Sequence, residues 1–294
     1  MSSVGFIGLG AMGLPMARNL VARGHAVRGF DMRQAAMDAL VAAGGARATS
    51  ATAAATGADM LILMVINATQ AEQVLFADGA LDALPEGGIV ALMATCPPGV
   101  VERLASRVLA AGRRFLDAPV SGGVVGATGA TLTIMAAAPA ETFGAARPVL
   151  DALGDKIFHV GEHPGQGAVV KTVNQLLCGV HIAVVAEALS LAGRVGVDPA
   201  VVLDILGSSS ASSWMLNDRG PRMLQTDPVI TSAVDIFVKD LGIVLEAGRE
   251  AKAGLPFAAL AHQLFLATSG RGAGGADDSQ VIRTYHAMNG GPMP

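Results

Sequence analysis

Residues 4–13 read Val-Gly-Phe-Ile-Gly-Leu-Gly-Ala-Met-Gly, and the reading of this stretch decides the fold. Its first four residues form a short apolar run of the kind that a buried parallel strand uses. Gly8, Gly10 and Gly13 then follow the spacing GxGxxG, with Ala11 and Met12 between them, and residues 14–23 have helical composition. A strand before and a helix after give that spacing its meaning. The glycines permit a tight turn and a close backbone approach to a pyrophosphate, whose charge the helix N-terminus stabilises. The next strand pattern, residues 26–30, ends in Asp31, about 20 residues beyond the glycines. A carboxylate there accepts both hydroxyls of an adenosine ribose and repels a 2′-phosphate, which favours NAD over NADP. Arg33 pulls the other way, because it can face a phosphate.

The alternation continues outward. Residues 37–43, 68–76 and 97–111 read as helices, and 60–66, 88–94 and 114–118 as strands. Strands and helices at this spacing indicate a doubly wound parallel sheet, in which ligands bind beyond the carboxyl ends of the strands. Met64, Val65, Asn67, Thr95 and the run Asp117 to Gly123 all fall at such ends; helix capping is the other reading of Asn67 and Thr95. Ser121, Gly122 and Gly123 offer a hydroxyl and backbone amides free to turn to a carboxylate, or form an ordinary glycine-rich turn. Residues 131–136 and 157–160 add strands around a helix at 140–153, and the break at 161–165 marks a boundary, giving domains of 1–163 and 164–294.

From residue 165 to about 195 the chain runs without a proline, as one helix of about 45 Å. Lys171, Asn174 and Gln175 stand at i, i+3 and i+4, so they share one helix face. They form either a working surface or a solvated polar turn. Beyond, residues 199–206, 235–251 and 257–267 are helical patterns and no strand pattern occurs, so the second domain is expected to be all-helical. Trp214 either lines a substrate pocket or anchors the core, and His181 is read as packed or interfacial. The glycine-rich tail after Gly270 is expected to end loosely.

Composition limits the functions available. With 294 residues, 52% hydrophobic and 15% charged, the chain has apolar material for two cores. A net charge of −4 argues against a nucleic-acid partner. Cys96 and Cys178 are far apart and lack metal-ligand spacing, which fits a reducing cytoplasm and leaves no metal expected. The first strand begins by Val4, leaving no room for a leader, and the long helix carries His181, Glu187 and Arg194, so no membrane span is expected.

Four stretches in order carry a resemblance: GLGAMGLPMARNL (8–20), DAPVSGGVVG (117–126), GQGAVVKTVN (165–174) and Lys239-Asp240-Leu241. Together they make the chain similar to the β-hydroxyacid dehydrogenases, which include 3-hydroxyisobutyrate dehydrogenases and tartronate semialdehyde reductases. The resemblance implies an N-terminal Rossmann domain, a long interdomain helix, an all-α second domain, NAD as cofactor, a small anionic hydroxy acid as substrate, and a homodimer or homotetramer. It makes Lys171 the catalytic acid/base. Ser121, Gly122 and Gly123 become the carboxylate clamp, Asn174 a substrate-orienting amide, and Thr95 and Lys239 residues near the cofactor. The usual Lys-x-x-Asn-Asn reads Lys-x-x-Asn-Gln here, so Gln175 reaches one methylene deeper towards substrate. With VINATQ (65–70), Ser213-Trp214-Met215 and DIFVKDL (235–241), that departure resembles the L-threonate dehydrogenase subgroup. A free lysine is a poor proton acceptor at neutral pH, so the role asks for desolvation or a neighbouring cation such as Lys239. A non-catalytic NAD-binding sensor is the reading from another class; it would need neither Lys171 nor the clamp. Imine reductases share the architecture but generally lack this lysine.

Overall fold

The computed structural model describes residues 1–290; the closing Gly-Pro-Met-Pro, where the loose end was expected, lies outside them. The chain forms two compact units, Met1–Lys171 and Thr172 onward, so the division falls inside the long helix rather than at the glycine-rich break before it.

The first unit is built on one sheet. Its strands are β1 (Ser3–Ile7), β2 (Ala26–Phe30), β3 (Ala46–Arg47), β4 (Met60–Leu63), β5 (Ile89–Leu92), β6 (Arg114–Asp117), β7 (Val120–Ser121), β8 (Thr133–Ala137) and β9 (Lys156–Gly161). The spatial order begins β3-β2-β1-β4-β5-β6, all parallel, which is the doubly wound dinucleotide-binding order. The sheet is not parallel throughout. β8 runs antiparallel to β6 and β7, and β9 is parallel to β8. The strands β4 (MLIL) and β5 (IVAL) are apolar at every position because both faces are covered. Their side chains alternate between two cores: Met60, Ile62, Ile89 and Ala91 pack with Phe6 and Leu116, whereas Leu61, Leu63, Val90 and Leu92 pack with Ile7 and Phe115.

Several short elements escape the sequence pattern. β3 is two exposed residues, and the Ala51–Ala55 helix is announced only by its cap, Ser50, whose hydroxyl accepts from the Ala53 amide at 3.0 Å. The glycine-rich run after Ser121, read as a turn or clamp, continues as a helix over Gly123–Gly129.

The second unit is helical throughout its described residues. The long helix Gln166–Arg194 runs into it and is followed by Pro199–Ser208, Trp214–Met223, Val234–Glu250, Pro256–Thr268 and Ile282–Asn289. By length and composition alone the long helix could cross a membrane. Its packing is that of a core helix: Ile182, Val185, Ala186 and Leu189 are buried among Phe237, Leu241, Val244, Phe265 and Tyr285. Its polar side chains are also engaged within the unit, Glu187 with the Tyr285 hydroxyl at 3.3 Å and Ser190 with Asn289 at 3.1 Å.

The run Asp277-Asp278-Ser279-Gln280, within the stretch after Gly270 whose end was expected to be loose, is among the most completely buried of the described residues. Asp278 grips Arg219 with two bonds of 2.9 Å, and Asp277 accepts from Arg222 at 2.7 Å and from the Thr231 amide at 3.0 Å. Asp218 bridges the two arginines, so five charged groups form one network. Trp214 is not a core anchor: it is 51% exposed, with the Arg219 guanidinium 5.8 Å from its ring.

Candidate active site

The parallel register gathers the sequence candidates of the first unit along one edge. Phe30, Ile7, Leu63, Leu92 and Asp117 are paired in succession across five strands. The residues just past that row, Gly8, Asp31, Met64, Val65 and Thr95, therefore stand together at the carboxyl ends of their strands.

The three glycines of the first loop serve different needs. Gly8 has φ +93°, and a Cβ there would come within 2.4 Å of the Met64 carbonyl oxygen. A Cβ on Gly13 would lie 1.8 Å from the Gly8 carbonyl oxygen. Both are required by the protein's own packing. Gly10 is not: the nearest atom to its Cβ position is Arg33 Nη2 at 3.9 Å. The protein's own packing leaves the space beside Gly10 open. The Gly13–Ala22 helix that follows has no acidic residue in its first turn, as an anion-accepting N-terminus requires. Ala11 is exposed and Met12 half-buried against the core.

Asp31 completes this cradle and is held firmly. Its Oδ2 accepts from the Leu9 amide at 2.8 Å, and its Oδ1 from the Arg33 amide at 2.8 Å and Arg33 Nε at 3.1 Å. Burial pushes its pKa up, but the Arg33 and Leu9 hydrogen bonds and the Arg33 charge together hold it below the usual carboxylate value. Arg33 also donates to the Leu9 carbonyl at 3.0 Å. Its charge is therefore matched by Asp31 instead of standing ready for a phosphate. These residues fit a nicotinamide dinucleotide: glycine turn for pyrophosphate, ionised carboxylate for ribose.

Ser121 ends β7, paired with Thr133, and Gly122 and Gly123 follow with φ of +128° and +59°, conformations that favour glycine. Lys171 is 7% exposed, in the second turn of the long helix. What fixes that helix start is Asp117, 1% exposed at the end of β6. Its Oδ2 accepts from the Gly165 amide at 2.9 Å and the Ala168 amide at 3.0 Å. A strand-end carboxylate thus caps a helix 48 residues further along the chain. Burial raises the Asp117 pKa to about 6, against the opposing pull of the Ala168, Gly165 and Gly167 amides. Sequence reading placed Asp117 at the edge of the clamp and missed this role; the signal was a lone acid closing an apolar strand.

In the second unit, Asn174, Gln175 and Lys239 are drawn together by a residue given no role from sequence, Asp240. Gln175 Nε2 donates to Asp240 Oδ2 at 2.5 Å, Lys239 Nζ pairs with Asp240 Oδ1 at 2.6 Å, and Asn174 Nδ2 donates to Gln175 Oε1 at 2.8 Å. The cation expected to tune the lysine therefore comes with a counterion.

A dinucleotide cradle at a Rossmann switch point and a buried lysine define a nicotinamide-dependent oxidoreductase. Comparison with known proteins narrows the class. Residues 3–161 match the family model for the NAD-binding domain of 6-phosphogluconate dehydrogenase, and 165–285 that for the NAD-binding domain of NADP-dependent 3-hydroxyisobutyrate dehydrogenase. L-threonate dehydrogenase of Cupriavidus necator is 44% identical over 96% of both chains. 3-Hydroxyisobutyrate dehydrogenase of Pseudomonas aeruginosa is 38% identical over 90% of this chain and 91% of its own. The solved 3-hydroxyisobutyrate dehydrogenase of Salmonella typhimurium superposes with a TM-score of 0.92 at 38% identity, over 96% of this chain and 99% of its own. The chain belongs to the β-hydroxyacid dehydrogenase family.

Two predictions test the geometry. Gly10→Ala leaves thermal stability unchanged or slightly raised, by up to about 1 kcal/mol, and weakens NAD binding by about tenfold or more in calorimetry; an unaltered NAD affinity contradicts the cradle. Asp117→Asn keeps an acceptor for the helix amides and removes the titration. Because the folded-state pKa of about 6 lies above the ordinary carboxyl value of 3.8, the folded protein binds the proton more tightly. Wild type therefore loses stability relative to the variant as pH rises from about 4 to about 6, by roughly 3 kcal/mol for two pH units. Denaturant titrations across that range show a widening gap; a constant gap contradicts it.

Proposed function

We propose that the protein oxidises the C2 hydroxyl of L-threonate to 2-dehydro-L-erythronate, with NAD as the hydride acceptor. The observation that carries the reading is Lys171, buried on a helix whose start is pinned to the sheet edge by Asp117. When bound, the dinucleotide supplies the acceptor for the C2 hydride. Lys171 takes the proton from the C2 hydroxyl oxygen, and in the reverse direction returns it there. Ser121, Gly122 and Gly123 hold the substrate carboxylate through the hydroxyl and backbone amides, and Asn174 orients a substrate hydroxyl. On the cofactor, Gly8, Gly10, Ala11, Met12 and Gly13 take the pyrophosphate and Asp31 the ribose. Met64, Val65, Thr95 and Lys239 flank its nicotinamide half.

Support for L-threonate comes from the Cupriavidus necator relative and from the residues that depart from the wider family pattern, Gln175 first among them. A second reading, 3-hydroxyisobutyrate as substrate, is supported by the Salmonella typhimurium structure of that name. The reading places the protein in a reducing cytoplasm, as two cysteines far apart in the sequence suggest.

The same reading includes self-assembly. Val173, Leu177, Val184 and Leu191 are exposed on the long helix at intervals of four and seven, which places them on one face. The apolar Pro199–Ser208 helix next in the chain has no buried residue. Apolar surface of this extent supports a homodimer or homotetramer.

Absorbance of NADH, followed with NAD or NADP against L-threonate, 3-hydroxyisobutyrate and related hydroxy acids, tests the reaction. L-threonate with NAD is expected to give the highest kcat/KM, and Lys171→Ala to lower kcat by at least about 10²-fold while NAD still binds. Near-normal turnover in that variant overturns the lysine assignment; preference for the branched acid overturns L-threonate. Light scattering is expected to report two or four times the 29.6 kDa chain mass, and a monomer refutes the assembly.

A further inference from the structure

Asp31 is the point on which the first loop and the end of β2 converge. Its Oδ2 accepts from the Leu9 amide at 2.8 Å and from Arg33 Nη2 at 3.4 Å. Its Oδ1 accepts from the Arg33 amide at 2.8 Å and from Arg33 Nε at 3.1 Å. Two backbone amides and two nitrogens of one guanidinium fork thus aim at a single carboxylate, whose side chain is 11% exposed. The Leu9 carbonyl also takes Arg33 Nη2, at 3.0 Å, and so holds the fork in place.

These donors are not peculiar to a carboxylate. A guanidinium fork matches a phosphate as well as a carboxylate, and backbone amides turned to one point cradle either anion. Burial pushes the Asp31 pKa up, yet the donors outweigh it and keep the group ionised. The guanidinium stands beside the glycine turn, with Nη2 3.9 Å from the place a Cβ on Gly10 would take.

We propose that Leu9, Asp31 and Arg33 form a phosphate socket that the chain fills with its own carboxylate, so that Asp31 excludes the 2′-phosphate of NADP by occupying its seat as well as by charge. Arg33 is then a specificity-determining residue held in reserve. The inference rests on the reading of Asp31 as the partner of the adenosine ribose. Repulsion and occupancy make different demands on a replacement. Under repulsion alone, any neutral residue at position 31 admits NADP equally. Under occupancy, the residue must also empty the socket.

The test measures binding of NAD, NADP and adenosine 2′,5′-bisphosphate to the full chain by calorimetry. Asp31→Asn removes the charge and leaves the seat filled; Asp31→Ala and Asp31→Ser remove the charge and vacate it. NADP and the bisphosphate are expected to bind the Ala and Ser variants about tenfold or more tighter than Asp31→Asn. Adding Arg33→Ala to Asp31→Ala is expected to abolish that gain. NAD is expected to bind all three position-31 variants about tenfold or more weaker than wild type. Thermal melts show that each variant is folded, and the bisphosphate is expected to raise the Tm of Asp31→Ala more than that of wild type. Equal NADP binding by the Asn and Ala variants, or a gain that survives Arg33→Ala, overturns the proposal. Weaker NAD binding with no gain for NADP overturns the socket and leaves the ribose reading standing. NAD binding untouched in all three variants overturns the ribose reading, and the socket with it.

Discussion

The bond between the Asp117 carboxylate and the first amides of the long helix is the constraint from which the site follows. A helix start leaves unsatisfied N–H groups, and a buried start must find acceptors for them within the protein. Here one oxygen at the end of a central strand meets two of them. The first turn of the helix is thereby tied to the strand end. Lys171 lies three residues beyond Ala168, so fixing the Ala168 amide fixes the azimuth of the lysine to within the play of one turn. The cost is a carboxylate kept out of water, visible in its raised pKa. A neutral cap would avoid that cost, but a carboxylate attracts the positive end of the helix as well as accepting its hydrogen bonds.

A buried carboxylate recurs in the second unit, where Asp240 accepts from the Gln175 amide. In both places an aspartate accepts from a donor distant in the chain. It decides where a neighbour's donor or acceptor points. The first loop shows the complementary arrangement, with no side chain at Gly10 and open space beside its backbone.

Local chemistry made much of this legible in the sequence. Runs such as MLIL and IVAL declare strands covered on both faces, and a glycine loop between strand and helix declares a dinucleotide turn. What stayed hidden depends on partners distant in the chain. Asp117 meets Gly165 across 48 residues, Gln175 meets Asp240 across 65, and Arg219 meets Asp278 across 59. No spacing rule reports such pairs. The antiparallel return of β7 and β8 escaped for the same reason, since strand direction is settled by pairing and not by composition. The burial of the Asp277–Gln280 run had no signal in the sequence, because polar residues suggest solvent, whereas their arginine partners draw them inside.

That last cluster has a consequence for the order of synthesis. The sheet of the first unit is complete once β9 has been made, and nothing later in the chain is needed to close it. Arg219 and Arg222 leave the ribosome long before Asp277 and Asp278, the carboxylates that neutralise them indoors. Until those residues emerge, Asp218 serves both arginines, and burying the pair would strand charge in the interior. The second unit must therefore wait for nearly its last residues before it can settle, while the first folds during translation. A chain cut short before Asp277 would release a finished dinucleotide-binding unit attached to an unfinished helical one.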